Sequence, residues 1–173
     1  MSDSYLERRG EIETYFDRTA ATAWQKLTSD APVSGIRATV RAGRDRMRAT
    51  LLSFLPQDLR GCRLLDAGCG TGALAVEAAK RGADVTAVDI SPTLIGIARE
   101  RLPEKLGDGR IRFLAGDMLD RKLGQFDHVV AMDSLIHYSL ADMVGMIERL
   151  AQMSRNGIHF TYAPRTPALA AMH

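Results

Sequence analysis

Cysteine is scarce: Cys62 and Cys69 are the only two. That excludes a disulfide framework and leaves reduced thiols in a cytoplasmic setting as the expectation. Long apolar runs are absent too, none approaching the roughly 20 residues a membrane-spanning helix needs. The opening stretch, MSDSYLERRGEIETYF, is charged and lacks an apolar core, so it is not a secretory signal. Net charge is only +2, too little by itself to draw nucleic acid. There is no internal repeat, no low-complexity tract and no metal-ligand spacing of His, Cys, Asp and Glu. What remains is 173 residues, 46% apolar and 25% charged, the balance of one soluble domain with a real core.

The N-terminal third reads as helical. Residues 4 to 27 carry Leu6, Ile12, Tyr15, Phe16, Ala20, Ala23, Trp24 and Leu27 near helical spacing, and Trp24 reads as core. "SDAPVSG" (29–35) breaks the pattern. A second helix over about 36–55 puts Ile36, Val40, Met47, Leu51 and Phe54 on one stripe. From Cys62 onward, short apolar runs alternate with amphipathic ones. "CRLLDAG", "ADVTAVDI", "IRFLAGD", "FDHVVAMD" and "GIHFTYAP" read as strands, the last ended by proline. Residues 72–81, a segment capped by Ser91 with Pro92 at its first position, and residues 139–153 read as helices. This alternation predicts an α/β domain, a doubly wound parallel sheet. Residues 1–58 read as a helical cap and 59–173 as the core.

"LLDAGCGTGALAVEAA" (64–79) carries Gly68, Gly70 and Gly72 between a buried strand and a helix. Such a turn lets the backbone approach a ligand and aims a helix N-terminus at it. With Ala73 it also fits the dinucleotide fingerprint, so the turn alone leaves a nicotinamide cofactor and S-adenosylmethionine both open. Three acids weigh between them. Asp66, just ahead of the turn, suits a ligand with a cationic amino-acid end and would repel a pyrophosphate. Asp89, at the end of the second strand, can take ribose hydroxyls of either ligand. Asp117, in "AGDM", is placed to meet an adenine amino group. Three carboxylates around one crevice favour the sulfonium ligand. Cys69 reads as a small turn residue whose amide matters more than its thiol.

As a set, "LLDAGCGTG", "VDIS", "GDM" and "FDHVVAMDSLIHY" resemble the ordered motifs of the class I S-adenosylmethionine-dependent methyltransferases, a Rossmann-like fold. That resemblance implies cofactor contacts at Asp66, Gly68, Gly70, Gly72, Asp89, Ile90, Asp117, Met118 and Met132. The family's sheet closes with an antiparallel pair after the fifth strand, so the expectation is a chain lacking its C-terminal strands. "YFDRTAATAWQKL" (15–27), "IRATVRAGRDRMRATLLSFL" (36–55) and "AMDSLIHY" (131–138) further resemble the magnesium-protoporphyrin IX methyltransferases of chlorophyll and bacteriochlorophyll synthesis. That likeness implies an N-terminal helical lid over a porphyrin cleft, with Tyr15 and His137 acting at the site. Asp17 departs from the asparagine common after "YF" in that family. The implied reaction is methyl transfer to one propionate carboxylate, giving a monomethyl ester. The likeness also implies handover of the macrocycle from the porphyrin-binding subunit of magnesium chelatase.

A propionic acid, with a pKa of about 4.5 like that of a Glu side chain, is ionised at neutral pH and needs no general base. It needs alignment and removal from water, which can supply on the order of 7–11 kcal/mol of a barrier. His137 and Tyr15 are expected to orient and desolvate it, although Tyr15 also lies on a packing stripe. Tyr138 beside His137 is a substrate-contact candidate, and Asp133 either meets the cofactor or caps its turn. Arg37, Arg41, Arg44 and Arg48 recur at helical spacing. They form a solvated or internally paired face, a contact for substrate carboxylates (Arg37 and Arg41 foremost), or a patch against an anionic membrane. Rival readings are a methyltransferase for a quinol, an amine or another acid, a non-catalytic cofactor-binding module, and a nicotinamide-dependent oxidoreductase. The expected setting is cytoplasmic, with at most peripheral membrane contact.

Overall fold

The computed structural model describes residues 2–20 and 35–162. Two helices lead, α1 (Asp3–Thr14) and α2 (Ile36–Ser53), α1 running on into a π-helical turn, Tyr15–Ala20. Strands β1 (Arg63–Ala67), β2 (Asp84–Asp89), β3 (Arg110–Ala115), β4 (Phe126–Ala131) and β5 (Ser154–Phe160) follow. Helix α3 (Ala73–Lys80) links β1 to β2, α4 (Pro92–Glu100) links β2 to β3, and α5 (Leu140–Gln152) links β4 to β5. The order is β3-β2-β1-β4-β5, every neighbouring pair parallel. The chain winds outward from β1 to β3, then returns to β4 on the other side of β1. That reversal opens a crevice at the carboxyl ends of β1 and β4.

Both faces of the sheet are covered, and its central strands are accordingly buried almost from end to end. On one face Leu64, Val85, Ala87, Phe113 and Val130 meet the small side chains of α3 and Leu51, Leu52 and Leu55 at the end of α2. On the other, Leu65, Val88, Val129 and Ala131 meet Tyr5 of α1 and Met146 and Leu150 of α5. Tyr5, α2 and the sheet thus share their cores. Ser91 caps α4 by accepting the Leu94 amide at 3.1 Å, and Pro92 fills the first turn, as predicted.

Two predicted stripes are redrawn. In α2 the buried residues are Leu51 and Leu52, with Leu55 just beyond, whereas Val40 and Phe54 are 43% and 62% exposed. Only the last turns of α2 rest on the sheet; its earlier part overhangs the crevice and presents arginines to it. The side chains of Ile36 and Arg37 lie outside the described residues, as do Ala23, Trp24 and Leu27. In α1 it is Tyr5 and Ile12 that are buried, while Leu6 and Tyr15 are half exposed. The π turn adds a residue to the repeat and so breaks the 3.6-residue phase on which the longer stripe depended. β5 begins at Ser154, three residues before the predicted start, with a register irregularity opposite Phe126 and His128. An edge strand opens on polar residues without cost, so its start carries no apolar signal.

Candidate active site

A cavity of about 460 Å³ occupies the crevice, walled by the strand tips, α1, the π turn and α2. The glycine turn forms its floor. Gly68, Gly70 and Gly72 have φ of +79°, +54° and +80°, a left-handed backbone that strongly favours glycine. A Cβ on Gly68 would stand 2.3 Å from Cβ of Ser134, and one on Gly72 would stand 2.8 Å from the Phe113 ring. The Ser134 hydroxyl donates to the Ala67 carbonyl at 2.8 Å, so the tips of β1 and β4 are interlocked at the turn.

Three carboxylates enter from adjacent strand ends. Asp66 is 1% exposed, and its Oδ2 has no hydrogen-bond partner among the described residues. Burial, then the charge of Asp89, pushes its carboxyl up to about 7, against a backbone hydrogen bond from Ala75. Asp89 accepts the Gly70 amide at 2.7 Å and the Ser91 amide at 3.0 Å. Burial raises its carboxyl although both amides oppose the rise. Asp117 accepts the Tyr5 hydroxyl and the Leu119 amide at 2.8 Å each, and pairs with Arg9 at 2.9 Å. Ile90, Met118 and Met132 line the same cavity. An orphaned, buried carboxylate oxygen asks for a cation, and apolar walls beside two further acids ask for a nucleoside. The amino-acid, ribose and base parts of S-adenosylmethionine match that sequence of surfaces.

The acceptor side is built after β4. His137 ends a short 3₁₀ turn, Leu135–His137, and its ring meets Phe16 edge-on at 5.6 Å. Burial lowers its imidazole and Arg8 lowers it further, against an opposing effect of Asp133, and the net shift favours the neutral ring. Arg8 Nε also donates to the His137 carbonyl at 2.8 Å. Tyr138 stacks on Tyr5 with ring centres 5.3 Å apart, and burial followed by the charge of Asp117 pushes its phenol up to about 12. Both Tyr138 and Arg41 line the cavity. Tyr15 does not: it is 54% exposed, edge-on to Phe16, and Phe16 takes the inward place. Asp133 ion-pairs with Arg44, and Arg48 pairs with Asp45 at 2.8 Å. The Asp133 backbone is left-handed, φ +56°, and its amide donates to Thr161 Oγ1 at 2.7 Å. Cys69 is a turn residue whose thiol burial raises well above its ordinary value.

Sequence reasoning passed over Tyr5, Arg9, the pairing of Arg44 with Asp133 and the role of Asp17. Asp17 accepts the Ser91 hydroxyl at 2.5 Å and the Thr93 amide at 3.2 Å, tying the π turn to the start of α4. An acid in a helix near the N-terminus gives no hint of a partner 74 positions on.

Known proteins share this arrangement. The methyltransferase-domain family matches residues 64–157. A magnesium-protoporphyrin O-methyltransferase of Rhodobacter capsulatus is 56% identical over 99% of this chain and 76% of its own length. The chloroplastic magnesium protoporphyrin IX methyltransferase of Arabidopsis thaliana is 31% identical over 90% of this chain and 51% of its own. The crystal structure of magnesium protoporphyrin IX methyltransferase from Synechocystis with bound SAM superposes with a TM-score of 0.80 at 28% identity, covering 95% of this chain and 80% of that one. Fold, glycine turn and near-full-length identity agree: the chain belongs to the magnesium-protoporphyrin O-methyltransferases, within the methyltransferase-domain family.

Proposed function

We propose that the chain transfers a methyl group from S-adenosylmethionine to a propionate carboxylate of magnesium-protoporphyrin IX, giving the monomethyl ester in chlorophyll or bacteriochlorophyll synthesis. The observation that carries the reading is Asp66 Oδ2, buried and without a hydrogen-bond partner among the described residues, beside Asp89 in the cavity of a chain with this kinship. When bound, the cofactor supplies a methyl group made electrophilic by its sulfonium charge. Asp66 holds the ammonium end, Asp89 the ribose and Asp117 the adenine amino group. Ile90, Met118 and Met132 pack the base, and the Gly68–Gly72 turn admits the cofactor's amino-acid part.

The acceptor carboxylate arrives ionised, so the protein's task is to dehydrate and aim it. His137, its neutral form favoured by burial, offers a hydrogen-bonding edge without a charge to be neutralised. Tyr138, protonated throughout the working pH range, donates from the neighbouring position. Phe16 and the π turn close the apolar wall and exclude water. Arg41, with Arg37 of the same helix, suits the substrate's second carboxylate. The role of Tyr15 rests on the family likeness, and Tyr15→Phe turnover tests it.

Receipt of the macrocycle from the porphyrin-binding subunit of magnesium chelatase, and peripheral contact with a membrane, belong to the same reading. Among the described residues no helix is long and apolar enough to cross a membrane. Incubation with magnesium-protoporphyrin IX and methyl-labelled S-adenosylmethionine tests the function. Label in a porphyrin monomethyl ester, with a Soret shift on binding, is the expected result. Cofactor binding without any labelled porphyrin would overturn the assignment.

A further inference from the structure

Asp117 takes two side-chain contacts from the N-terminal helix and one amide from the turn that follows β3. Oδ1 accepts the Tyr5 hydroxyl and the Leu119 amide, and Oδ2 accepts Arg9 Nη1. Tyr5, Arg9 and Asp117 all line the cavity, and Asp117 remains 23% exposed at its side chain. A carboxylate offers about four acceptor positions, so one on Oδ2 stays open beside Arg9. We propose that Tyr5 and Arg9 are positioning residues that make Asp117 a joint between α1 and the adenine subsite, so that docking of α1 and cofactor occupancy reinforce each other. The proposal rests on the reading that Asp117 meets the adenine amino group.

The sign follows from geometry. Two hydroxyl and guanidinium contacts from α1 fix the carboxylate's rotamer before the base arrives, which removes an ordering cost from binding. The position left open is not the one Arg9 fills, so the base joins the network and displaces nothing. A second tie works in the same direction: Asp17 bonds Ser91, whose amide in turn holds Asp89. The N-terminal segment is thus tied to the acids at both ends of the nucleoside, to Asp117 directly and to Asp89 through Ser91. Tyr5 carries the effect onward, because its ring stacks on Tyr138 at the acceptor side. Coupling between two sites is reciprocal, so a cofactor that tightens α1 must itself be tightened by α1.

Calorimetry with S-adenosylhomocysteine and amide hydrogen exchange over residues 3–14 test the joint together. The ligand is expected to slow exchange in α1 of the unmodified protein. Arg9→Gln is expected to weaken binding by about fivefold or more, the low end of ordinary coupling, and to abolish that slowing. Arg9→Lys, which keeps the cation, is expected to restore most of both, and Tyr5→Phe, which keeps the stacked ring, to lose a part of both. Equal or tighter binding by Arg9→Gln, or exchange in α1 indifferent to the ligand, overturns the proposal and leaves the cofactor reading standing. Failure of the unmodified protein to bind S-adenosylhomocysteine overturns the cofactor reading, and the coupling with it.

Discussion

Cofactor binding should expel a proton from Asp66. The carboxyl is 1% exposed and its Oδ2 has no partner among the described residues. Burial and the neighbouring Asp89 move it from an ordinary 3.8 to about 7. At pH 6 the side chain is therefore mostly neutral, yet the cofactor's ammonium needs it ionised. Below about pH 7 the affinity for S-adenosylhomocysteine should climb with pH, close to tenfold or about 1.4 kcal/mol per unit well below that point, and flatten above it. From pH 5.5 to 7 the gain is on the order of 1.5–2 kcal/mol, or ~16-fold. Titration calorimetry at pH 6 in two buffers of different ionisation enthalpy counts the protons directly, and close to one per ligand is expected. The same carboxyl sets a stability trend in the empty protein. Between about pH 3.8 and 7 the folded chain keeps a proton that the unfolded chain has lost, so stability falls as pH rises through that window. The fall is on the order of 4 kcal/mol. Asp66→Asn should therefore be more stable than the unmodified protein at pH 8 while losing cofactor affinity and proton release. Equal heats in both buffers at pH 6 would refute the reasoning.

Asp89→Ala should weaken S-adenosylmethionine binding by roughly 1–3 kcal/mol, the scale of lost charge-assisted hydrogen bonds; unchanged calorimetric affinity removes Asp89 from the site. His137→Ala should lower turnover far more than cofactor affinity, and equal losses would make its role structural. Gly68→Ala, with φ at +79° and Ser134 Cβ 2.3 Å from the new methyl, should lose at least about 1–2 kcal/mol in denaturant melts. A midpoint that stays in place contradicts that geometry. Ser91→Ala should cost about 1 kcal/mol of thermal stability as a lost helix cap, a loss that a scanning melt either shows or denies.

What could be read in advance was whatever the chain states locally. β1 and β2 are short segments with apolar middles because both their faces are covered, and each runs directly into a turn with an acid at or beside its tip. Asp66, Asp89, Asp117 and the three glycines were legible for that reason, and so was His137, one short turn past β4. The contacts that position them were not. Arg44 and Asp133 are 89 positions apart, and Arg9 and Asp117 are 108 apart; no local pattern pairs such residues. The family likeness put Tyr15 at the site and periodicity put it on a packing stripe with Phe16, but at the π turn that begins at Tyr15 it is Phe16 that lines the cavity. The arginine face of α2 carried three readings in the sequence, and only the fold sets Arg44 against Asp133 and Arg41 along the cavity.

The zipper between Gly68 and Ser134 has a bearing on redesign. With a methyl unable to fit on one side and a hydroxyl locked onto Ala67 on the other, the methyl-donating and methyl-receiving halves cannot drift apart independently. Anyone retargeting such an enzyme to a new acceptor would leave that pair untouched and vary the loop from Leu135 to Tyr138 together with the overhanging helices, where volume can change without loosening the hinge of the whole reaction.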